Sequence, residues 1–165
     1  MPVEIVELNK SHNRSEFDCG AESLNLYLKV TAHQAQTKAK SKTTVLVHPE
    51  SPKRILGYFT LVLAVVPSDD FPPPYCNQYK NGLPGVNLAR LAVSLECQRE
   101  GYGALLLVKA LEKVLRVSEQ AGCASCFVDA KNGAQAFYQK FGFIPLLSDP
   151  NRLFLPIKTI KALQR

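Results

Sequence analysis

The segment Gln98–Ala104 has the composition of a loop that could bind a phosphate group. It contains two glycines, Gly101 and Gly103, and it lies between a β-rich run and the start of a long amphipathic run. The first backbone N–H groups of a helix have no acceptor within that helix, and they carry the positive end of its dipole. Glycines let a phosphate approach such groups closely. The spacing therefore predicts a pyrophosphate site, although a tight turn alone would also use these glycines.

Two common classes of nucleotide-binding loop do not fit this segment. A Walker A loop has Lys after its last Gly, whereas Ala104 follows Gly103 here. A dinucleotide-binding fingerprint needs three glycines, and this loop has two. The sequence therefore disfavours nucleoside triphosphates and NAD as ligands.

Positive charge is concentrated between residues 29 and 54. The formal net charge of the chain is +6, and this stretch holds six basic residues against one acidic residue, Glu50. Such a cluster attracts phosphate backbones by counterion release, although charge runs are often only solvated faces. The basic residues are Lys29, Lys38, Lys40, Lys42, Lys53 and Arg54.

The five cysteines are expected to be thiols. An odd number in a chain of 165 residues, long enough to fold around its own core, fits a reducing compartment. Cys123 and Cys126 have Cys-x-x-Cys spacing, but a zinc ribbon needs a second pair, and a thioredoxin-type pair opens a helix rather than a strand. Small buried apolar residues are the favoured interpretation, and no metal site is predicted.

Hydrophobic periodicity predicts the elements that position these residues. Apolar residues at helical spacing from Leu24 predict an amphipathic helix, with Ser23 as its N-cap. Two β-rich runs, Thr43–His48 and Leu56–Val66, flank a proline-containing turn and predict an antiparallel hairpin. A strand over Val86–Ser94 then leads into the glycine loop.

The second half of the chain alternates helices with strands. Its helices carry apolar stripes that end at glycines, and Phe137, Phe141 and Phe143 are interpreted as core residues. The predicted segments are a helix from Ala104 to about Gly122, a strand over Cys126–Ala130, a helix over Ala134–Phe141, and strands over Phe143–Leu147 and Leu153–Ile157. This order predicts one α/β domain over residues 1–165, built on a mixed sheet.

Hydropathy predicts a cytoplasmic protein. No run of eighteen uncharged apolar residues exists, and Glu4, Glu7 and Lys10 interrupt the N-terminal region, so we expect neither a membrane span nor a secretory signal.

The segment Pro67–Pro84 holds five of the eleven prolines and is expected to be a long loop within the domain. A binding loop and a covering flap are equally compatible with its composition.

Several motifs follow one another in a recognisable order along nearly the whole chain. Gln98-x-x-Gly101-x-Gly103-Ala104 resembles motif A of the GNAT acetyltransferase superfamily, and Asn132 to Phe143 resembles its second signature, an Asn followed by an aromatic helix and Gly-Phe. Five further blocks resemble the GNAT toxin subfamily of toxin–antitoxin modules: Phe17-Asp-Cys-Gly20, Leu24-Asn-Leu-Tyr-Leu28, Leu56-Gly-Tyr-Phe-Thr-Leu61, Leu88-Ala-Arg-Leu-Ala-Val93 and Phe154-Leu-Pro-Ile-Lys158.

The resemblance implies a GNAT acyl-CoA N-acyltransferase fold, in which helices flank a mostly antiparallel, splayed sheet. It implies acetyl-CoA as co-substrate and no metal. By position, Leu91, Ala92 and Val93 would pair with the pantetheine arm through backbone groups, and Asn132 would contact the cofactor or cap a helix. The pyrophosphate loop would consist of Gln98, Arg99, Glu100, Gly101, Tyr102, Gly103 and Ala104.

Tyr138 is implied to donate a proton to the leaving thiolate after an amine attacks the thioester. A tyrosine hydroxyl has an ordinary pKa of about 10, so it is protonated and able to donate at cellular pH. Without the surrounding motif, a tyrosine at this position would be interpreted as a core residue with its hydroxyl at the rim.

The subfamily resemblance implies acetylation of the amino group of an aminoacyl-tRNA, which blocks translation. No acidic residue stands out as a general base. An α-amino group has a pKa of about 7.7 to 8.0, lowered further by the adjacent ester, whereas a lysine near 10.4 would need a base. The missing base favours an α-amine acceptor. The candidate contacts to tRNA phosphates are Lys29, Lys38, Lys40, Lys42 and Arg90, and Arg99 could reach either tRNA or the cofactor.

The resemblance also implies macromolecular partners. These are a small ribbon-helix-helix antitoxin whose tail covers the active site, a second copy of the chain in a homodimer, and operator DNA bound only through the antitoxin complex. No membrane partner is expected. Two other functions stay open from the sequence: a GNAT enzyme acting on a small amine or a protein amine, and a non-catalytic nucleic-acid-binding module.

Overall fold

The structure, a computed structural model, describes residues 2–78, 80–130 and 133–164. Strands and helices occur in a mixed order along this part of the chain, with the hairpin in its first half, as the periodicity predicts. In chain order they are β1 (Glu4–Glu7), α1 (Glu22–Leu26), a π turn (Tyr27–Thr31), α2 (Ala32–Thr37), β2 (Lys42–Val47), β3 (Gly57–Val66), α3 (Tyr75–Gln78), β4 (Leu83–Val93), α4 (Tyr102–Gln120), β5 (Ser125–Asp129), α5 (Gln135–Gln139), β6 (Ile144–Pro145), β7 (Arg152–Pro156) and α6 (Ile157–Leu163).

The strands are hydrogen-bonded in the order β1-β2-β3-β4-β5-β7-β6. The pairs β1/β2, β2/β3, β5/β7 and β6/β7 are antiparallel, whereas β4/β5 is parallel. The mixed, mostly antiparallel sheet and the hairpin of β2 with β3 are therefore confirmed. The register of β4 with β5 covers Gly85–Leu88 and ends there, although β4 continues to Val93.

The chain divides into two compact units. One comprises Met1–Val62 with Arg90–Ala110, and the other comprises Leu63–Ala89 with Leu111–Arg165. Neither unit is a continuous piece of chain. The elements β3, β4 and α4 each pass from one unit into the other.

The core of the first unit joins its helices to the β2/β3 hairpin. Phe17 packs edge-on against Tyr58, with 5.5 Å between the ring centroids. The Tyr58 hydroxyl donates to the Leu24 carbonyl at 2.7 Å, which ties β3 to α1. The buried residues of this cluster are Leu8, Phe17, Leu28, Ala32, Val45, Val47, Ile55, Tyr58 and Ala92.

The core of the second unit includes part of the proline-rich segment. Phe71 is fully buried and packs edge-on against Phe154 at 4.9 Å between centroids. The Asp70 carboxylate accepts the Ser148 backbone N–H at 2.7 Å and the Ser148 hydroxyl at 2.9 Å. The segment Pro67–Pro84 is therefore anchored in the core rather than laid over it, and it contains the short helix α3.

The helix α4 carries the apolar stripe that its sequence predicts. The buried residues at helical spacing are Leu106, Leu107, Ala110, Leu111 and Val114.

Within residues 2–78, 80–130 and 133–164, no helix is both long enough and apolar enough to cross a membrane.

Several local predictions were wrong. Ser23 is not the N-cap: it lies inside α1, whose N-cap is Ala21, and no side chain caps that end. The predicted helix is interrupted by the π turn, which periodicity does not reveal. The strand β1 and the helix α6 were not predicted.

Candidate active site

The predicted phosphate loop is an exposed turn at the start of α4. Its first helical hydrogen bond runs from the Leu105 N–H to the Gly101 carbonyl at 3.1 Å. The N–H groups of Tyr102, Gly103 and Ala104 precede this bond and have no acceptor within the helix. Because α4 has 19 residues, its positive dipole end is fully developed at this loop. The free N–H groups and the positive end of the helix dipole are both suited to binding the two negatively charged phosphates of acetyl-CoA.

Two residues of the loop have left-handed backbone conformations. Arg99 has φ of 67° and Gly101 has φ of 85°. A Cβ at Gly101 would meet no atom within 4 Å, so packing does not demand a glycine there. The left-handed backbone conformation is the reason that a glycine is favoured at this position. The space beside Gly101 is also open to a ligand. This open space also fits a pyrophosphate that approaches the backbone closely.

The residues predicted to bind the pantetheine arm form the last part of β4. Ala92 is buried, whereas Leu91 and Val93 are half-buried. The pairing of β4 with β5 ends three residues before Leu91. An extended ligand could therefore add to the backbone of this strand end in the manner of a further strand.

The loop side chains differ in what they contact. The Gln98 side-chain amide donates to the carbonyls of Cys19 and Val93, both at 3.0 Å. Arg99 and Glu100 are exposed. Asn132, the remaining candidate for cofactor binding, lies outside the described residues. Sequence reasoning did not predict that Gln98 bonds to the protein.

The ring of Tyr138 is buried in the second unit, and the residue is 6% exposed. Phe137 and Phe143 pack edge-on against it, with 5.1 Å and 5.5 Å between centroids. Burial raises the pKa of the Tyr138 hydroxyl well above its ordinary value, and the nearby Cys126 and Asp129 raise it further. Tyr138 is therefore protonated throughout the physiological range.

No hydrogen bond joins the Tyr138 hydroxyl to another described residue, and the aromatic neighbours hold the ring. The turn after α5 fixes this arrangement: Gly142 has φ of 96° and its N–H donates to the Gln139 carbonyl at 3.0 Å.

One of the basic candidates, Arg90, contacts the π turn. The Arg90 guanidinium lies over the Tyr27 ring, 3.8 Å from its centroid. The Tyr27 hydroxyl in turn lies 3.2 Å from the Ser41 hydroxyl. This chain of contacts connects Arg90 with the turn that carries Lys29 and with the segment that carries Lys40 and Lys42.

The lysines differ in their surroundings. Lys42 forms an ion pair with Glu7, with 3.0 Å between nitrogen and oxygen, and both side chains are mostly exposed. Lys29, Lys38 and Lys40 are exposed and form no ion pair within the part of the chain that the structure describes. Tyr27, which orients Arg90, had no sequence signal beyond its place in the helical pattern.

All five cysteines are free. Burial raises the pKa of the Cys126 thiol far above its usual range, so this thiol is not reactive as a thiolate. Across residues 2–78, 80–130 and 133–164, no group of three or more His, Cys, Asp or Glu residues is placed to hold a metal ion.

This chain is similar to known acetyltransferases over most of its length. Residues 70–145 match the family model described as Acetyltransferase (GNAT) domain. The chain is 29% identical over 150 residues to the tRNA-acetylating toxin of Mycobacterium tuberculosis, covering 90% of this chain and 89% of the relative. These matches overlap the loop, α4 and α5.

Solved structures of toxins share the fold. AtaT complexed with acetyl-methionyl-tRNAfMet is 30% identical, with a TM-score of 0.92, and the match covers 99% of this chain and 100% of that one. AtaTR bound with AcCoA is 31% identical, with a TM-score of 0.86, and covers 99% and 98%. Other structures of this group hold AtaT with the C-terminus of the antitoxin AtaR, and KacTA with DNA. The chain therefore belongs to the GNAT acetyltransferase family, in the group that contains the tRNA-acetylating toxins.

Proposed function

We propose that this protein is the toxin of a type II toxin–antitoxin module. It transfers acetyl from acetyl-CoA to the α-amino group of an aminoacyl-tRNA and so blocks translation. The observation that carries the proposal is Tyr138, whose ring is buried against Phe137 and Phe143 and whose proton is retained at cellular pH. Relatives that acetylate tRNA match the chain over nearly its full length, which supports the same chemistry here.

The proposed reaction forms one bond and breaks one bond. The neutral amine attacks the thioester carbonyl carbon, the new N–C bond forms, and the C–S bond breaks. Tyr138 donates its proton to the departing sulfur, the amine releases one proton to solvent, and Tyr138 then recovers a proton from solvent. When bound, acetyl-CoA supplies the activated acetyl group. Because the donor is a neutral hydroxyl, no buried charge is created on the protein before transfer.

The cofactor contacts follow the geometry of the first unit. We assign pyrophosphate binding to the loop Gln98–Ala104, because the N–H groups at the start of α4 and the open space at Gly101 suit a dianion. We assign the pantetheine arm to the backbone of Leu91, Ala92 and Val93. The assignment of Asn132 stays a prediction from the sequence.

The proposal treats residues 1–165 as one catalytic domain, since β3, β4 and α4 run through both compact units. Its partners are aminoacyl-tRNA and a ribbon-helix-helix antitoxin, with operator DNA bound through the antitoxin complex. The solved complexes of AtaT with the AtaR C-terminus and of KacTA with DNA support these partners. We further propose a homodimer that acts in the cytoplasm.

Transfer of labelled acetyl from acetyl-CoA tests the proposal directly. A pool of charged tRNAs would be compared with deacylated tRNA, free amino acids and lysine peptides as acceptors. Label on charged tRNA alone supports the proposal and identifies the aminoacyl groups that are used. Label on free amino acids or peptides at equal rates would indicate a small-amine or protein-amine enzyme. If no acceptor is labelled and acetyl-CoA is not bound, the protein would be a non-catalytic module.

Binding of charged tRNA is expected to weaken steeply with salt. Five phosphate contacts, from Lys29, Lys38, Lys40, Lys42 and Arg90, should reduce affinity by roughly 10²- to 10³-fold between 50 and 200 mM salt. Replacing Lys40 with alanine should lower the slope of log affinity against log salt by about one. Filter binding at several salt concentrations measures this slope.

The matched control for the salt experiment is Lys53→Ala, since Lys53 is an exposed lysine of the same basic stretch that has no assigned contact. It should leave the slope unchanged. A wild-type affinity that does not depend on salt would refute the assigned phosphate contacts.

The rate of transfer is expected to rise with pH until the acceptor amine is neutral. An α-amino group next to an ester titrates at or below about 7.7 to 8.0, so kcat/KM should increase tenfold per pH unit below that range and then level off. Because burial raises the pKa of Tyr138, its proton is not lost as pH rises through 9, and no descending limb is expected there. Single-turnover rates between pH 6 and 9 measure the profile.

A fall in rate between pH 8 and 9 would mean that the proton donor titrates near its ordinary pKa or below it. That result would contradict the buried environment assigned to Tyr138. An acetylation rate on a lysine peptide equal to that on aminoacyl-tRNA would contradict the choice of an α-amine acceptor.

A further inference from the structure

The segment Phe17–Gly20, which precedes α1 in the first unit, has no role in the proposed function. Its backbone is closed by side chains: Asp18 Oδ1 accepts the Gly20 N–H and the Asn25 side-chain amide, both at 2.9 Å. Asn25 Oδ1 accepts the Cys19 N–H at 2.8 Å. Asp18 and Asn25 therefore hold each other and fix the carbonyls of this segment in place.

Those fixed carbonyls hold the residues that lead into the phosphate loop. The Leu95 N–H donates to the Asp18 carbonyl at 2.8 Å. The Gln98 side-chain amide donates to the Cys19 carbonyl at 3.0 Å. The same amide donates to the Val93 carbonyl at 3.0 Å, at the end of β4. Gln98 thus connects the segment before α1 with the end of the strand.

The loop has little else to fix its shape. Gln98, Arg99, Glu100 and Gly101 are all exposed, so no core packing holds them. Arg99 also has a left-handed backbone conformation, which costs free energy for a residue other than glycine. Hydrogen bonds to rigid carbonyls therefore decide where the loop N–H groups point. An anion site that depends on converging N–H groups loses affinity when those groups reorient.

We propose that Gln98, Asp18 and Asn25 are positioning residues for acetyl-CoA. The Gln98 side chain holds the loop that binds the pyrophosphate, and Asp18 and Asn25 hold the carbonyl to which Gln98 bonds. None of the three side chains needs to touch the cofactor. The inference rests on the proposed function only in that this loop binds acetyl-CoA, and it does not depend on the acceptor.

Affinity for acetyl-CoA, measured by titration calorimetry on the full chain without tRNA, tests the inference. Gln98→Met keeps the length of the side chain but removes its donors, and it should weaken acetyl-CoA binding about tenfold. Asn25→Leu, which changes the far end of the network, should weaken binding to a similar extent. The double variant should be little weaker than either single variant, because both act through one carbonyl. At saturating acetyl-CoA, kcat of Asn25→Leu should stay within about twofold of the wild type.

Two comparisons separate positioning from general damage. Asp18→Asn keeps an Oδ1 acceptor and should bind acetyl-CoA much more tightly than Asp18→Leu. Gln34→Met changes an exposed glutamine of α2 that has no part in the network, and it should bind like the wild type. Thermal melting identifies any variant that is unfolded, in which case the Asp18 pair decides the result.

Wild-type affinity in Asn25→Leu with weak binding in Gln98→Met would overturn the inference, because it would mean that Gln98 contacts the cofactor itself. Additive effects in the double variant, or equal binding by the two Asp18 variants, would overturn it as well. Failure of the wild type to bind acetyl-CoA would instead overturn the proposed function, and the inference with it.

Discussion

Tyr138→Phe is expected to lower kcat for acetyl transfer by about 10²- to 10³-fold, within the range found for loss of a general acid. The substitution removes one oxygen and keeps the ring that packs against Phe137 and Phe143. Because no hydrogen bond joins that oxygen to another described residue, the melting temperature should hardly change. Affinity for acetyl-CoA should also be retained, so the loss appears in kcat and not in KM.

Tyr75→Phe is the matched control for this prediction. Tyr75 lies in the same unit, is half-buried, and packs edge-on against Phe154 at 5.1 Å. It has no assigned chemistry, so the variant should keep wild-type kcat. A loss below tenfold in Tyr138→Phe would show that the leaving thiolate takes its proton from elsewhere. An equal loss in both variants would show that the effect is structural.

Gly101→Val is expected to raise KM for acetyl-CoA by more than tenfold. The φ of 85° at Gly101 suits glycine, and a β-branched residue there costs about 1–2 kcal/mol or forces the turn to change. The valine side chain would also enter the open space that the proposal assigns to the pyrophosphate. Since the loop is exposed and outside the core, stability should fall far less than affinity. Steady-state kinetics at varied acetyl-CoA and calorimetric titration both measure the effect.

Gly122→Val is the control for Gly101→Val. A Cβ at Gly122 also meets no atom within 4 Å, but the backbone there is not left-handed and no ligand is assigned to it. We expect near-normal KM in this variant. If Gly101→Val binds acetyl-CoA as tightly as the wild type, then the loop is not the pyrophosphate site.

Much of the fold follows from local patterns. The hairpin, α4 and the later strands were predicted because apolar residues repeat with the period of the element that forms. The strand β1 was missed because it has only four residues, with a glutamate at each end, and it exists through its pairing with β2. The π turn was missed because one extra residue in a helical turn leaves no mark on hydrophobic spacing.

The candidate site was predictable only in part. Glycine spacing before a helix marks a phosphate loop because the glycines act locally, and the family motif adds Tyr138. The hydrogen bond from the Gln98 side chain to the Cys19 carbonyl joins residues 79 positions apart, so no local sequence pattern predicts it. The contact of Arg90 with Tyr27 is also set by tertiary packing. The proline-rich segment was interpreted as a loop or flap, since composition cannot reveal that Phe71 is a core residue.

The division of the chain into discontinuous units has a consequence during synthesis. The first unit cannot be completed when Val62 leaves the ribosome, because it also needs Arg90–Ala110. At about 5–20 residues per second, the 48 residues from 63 to 110 take roughly 2–10 s to add. A nascent chain is thus without a finished acetyl-CoA loop until most of it has been made. A chain cut after Val62 would likewise leave the first unit divided between two fragments, so activity would require both.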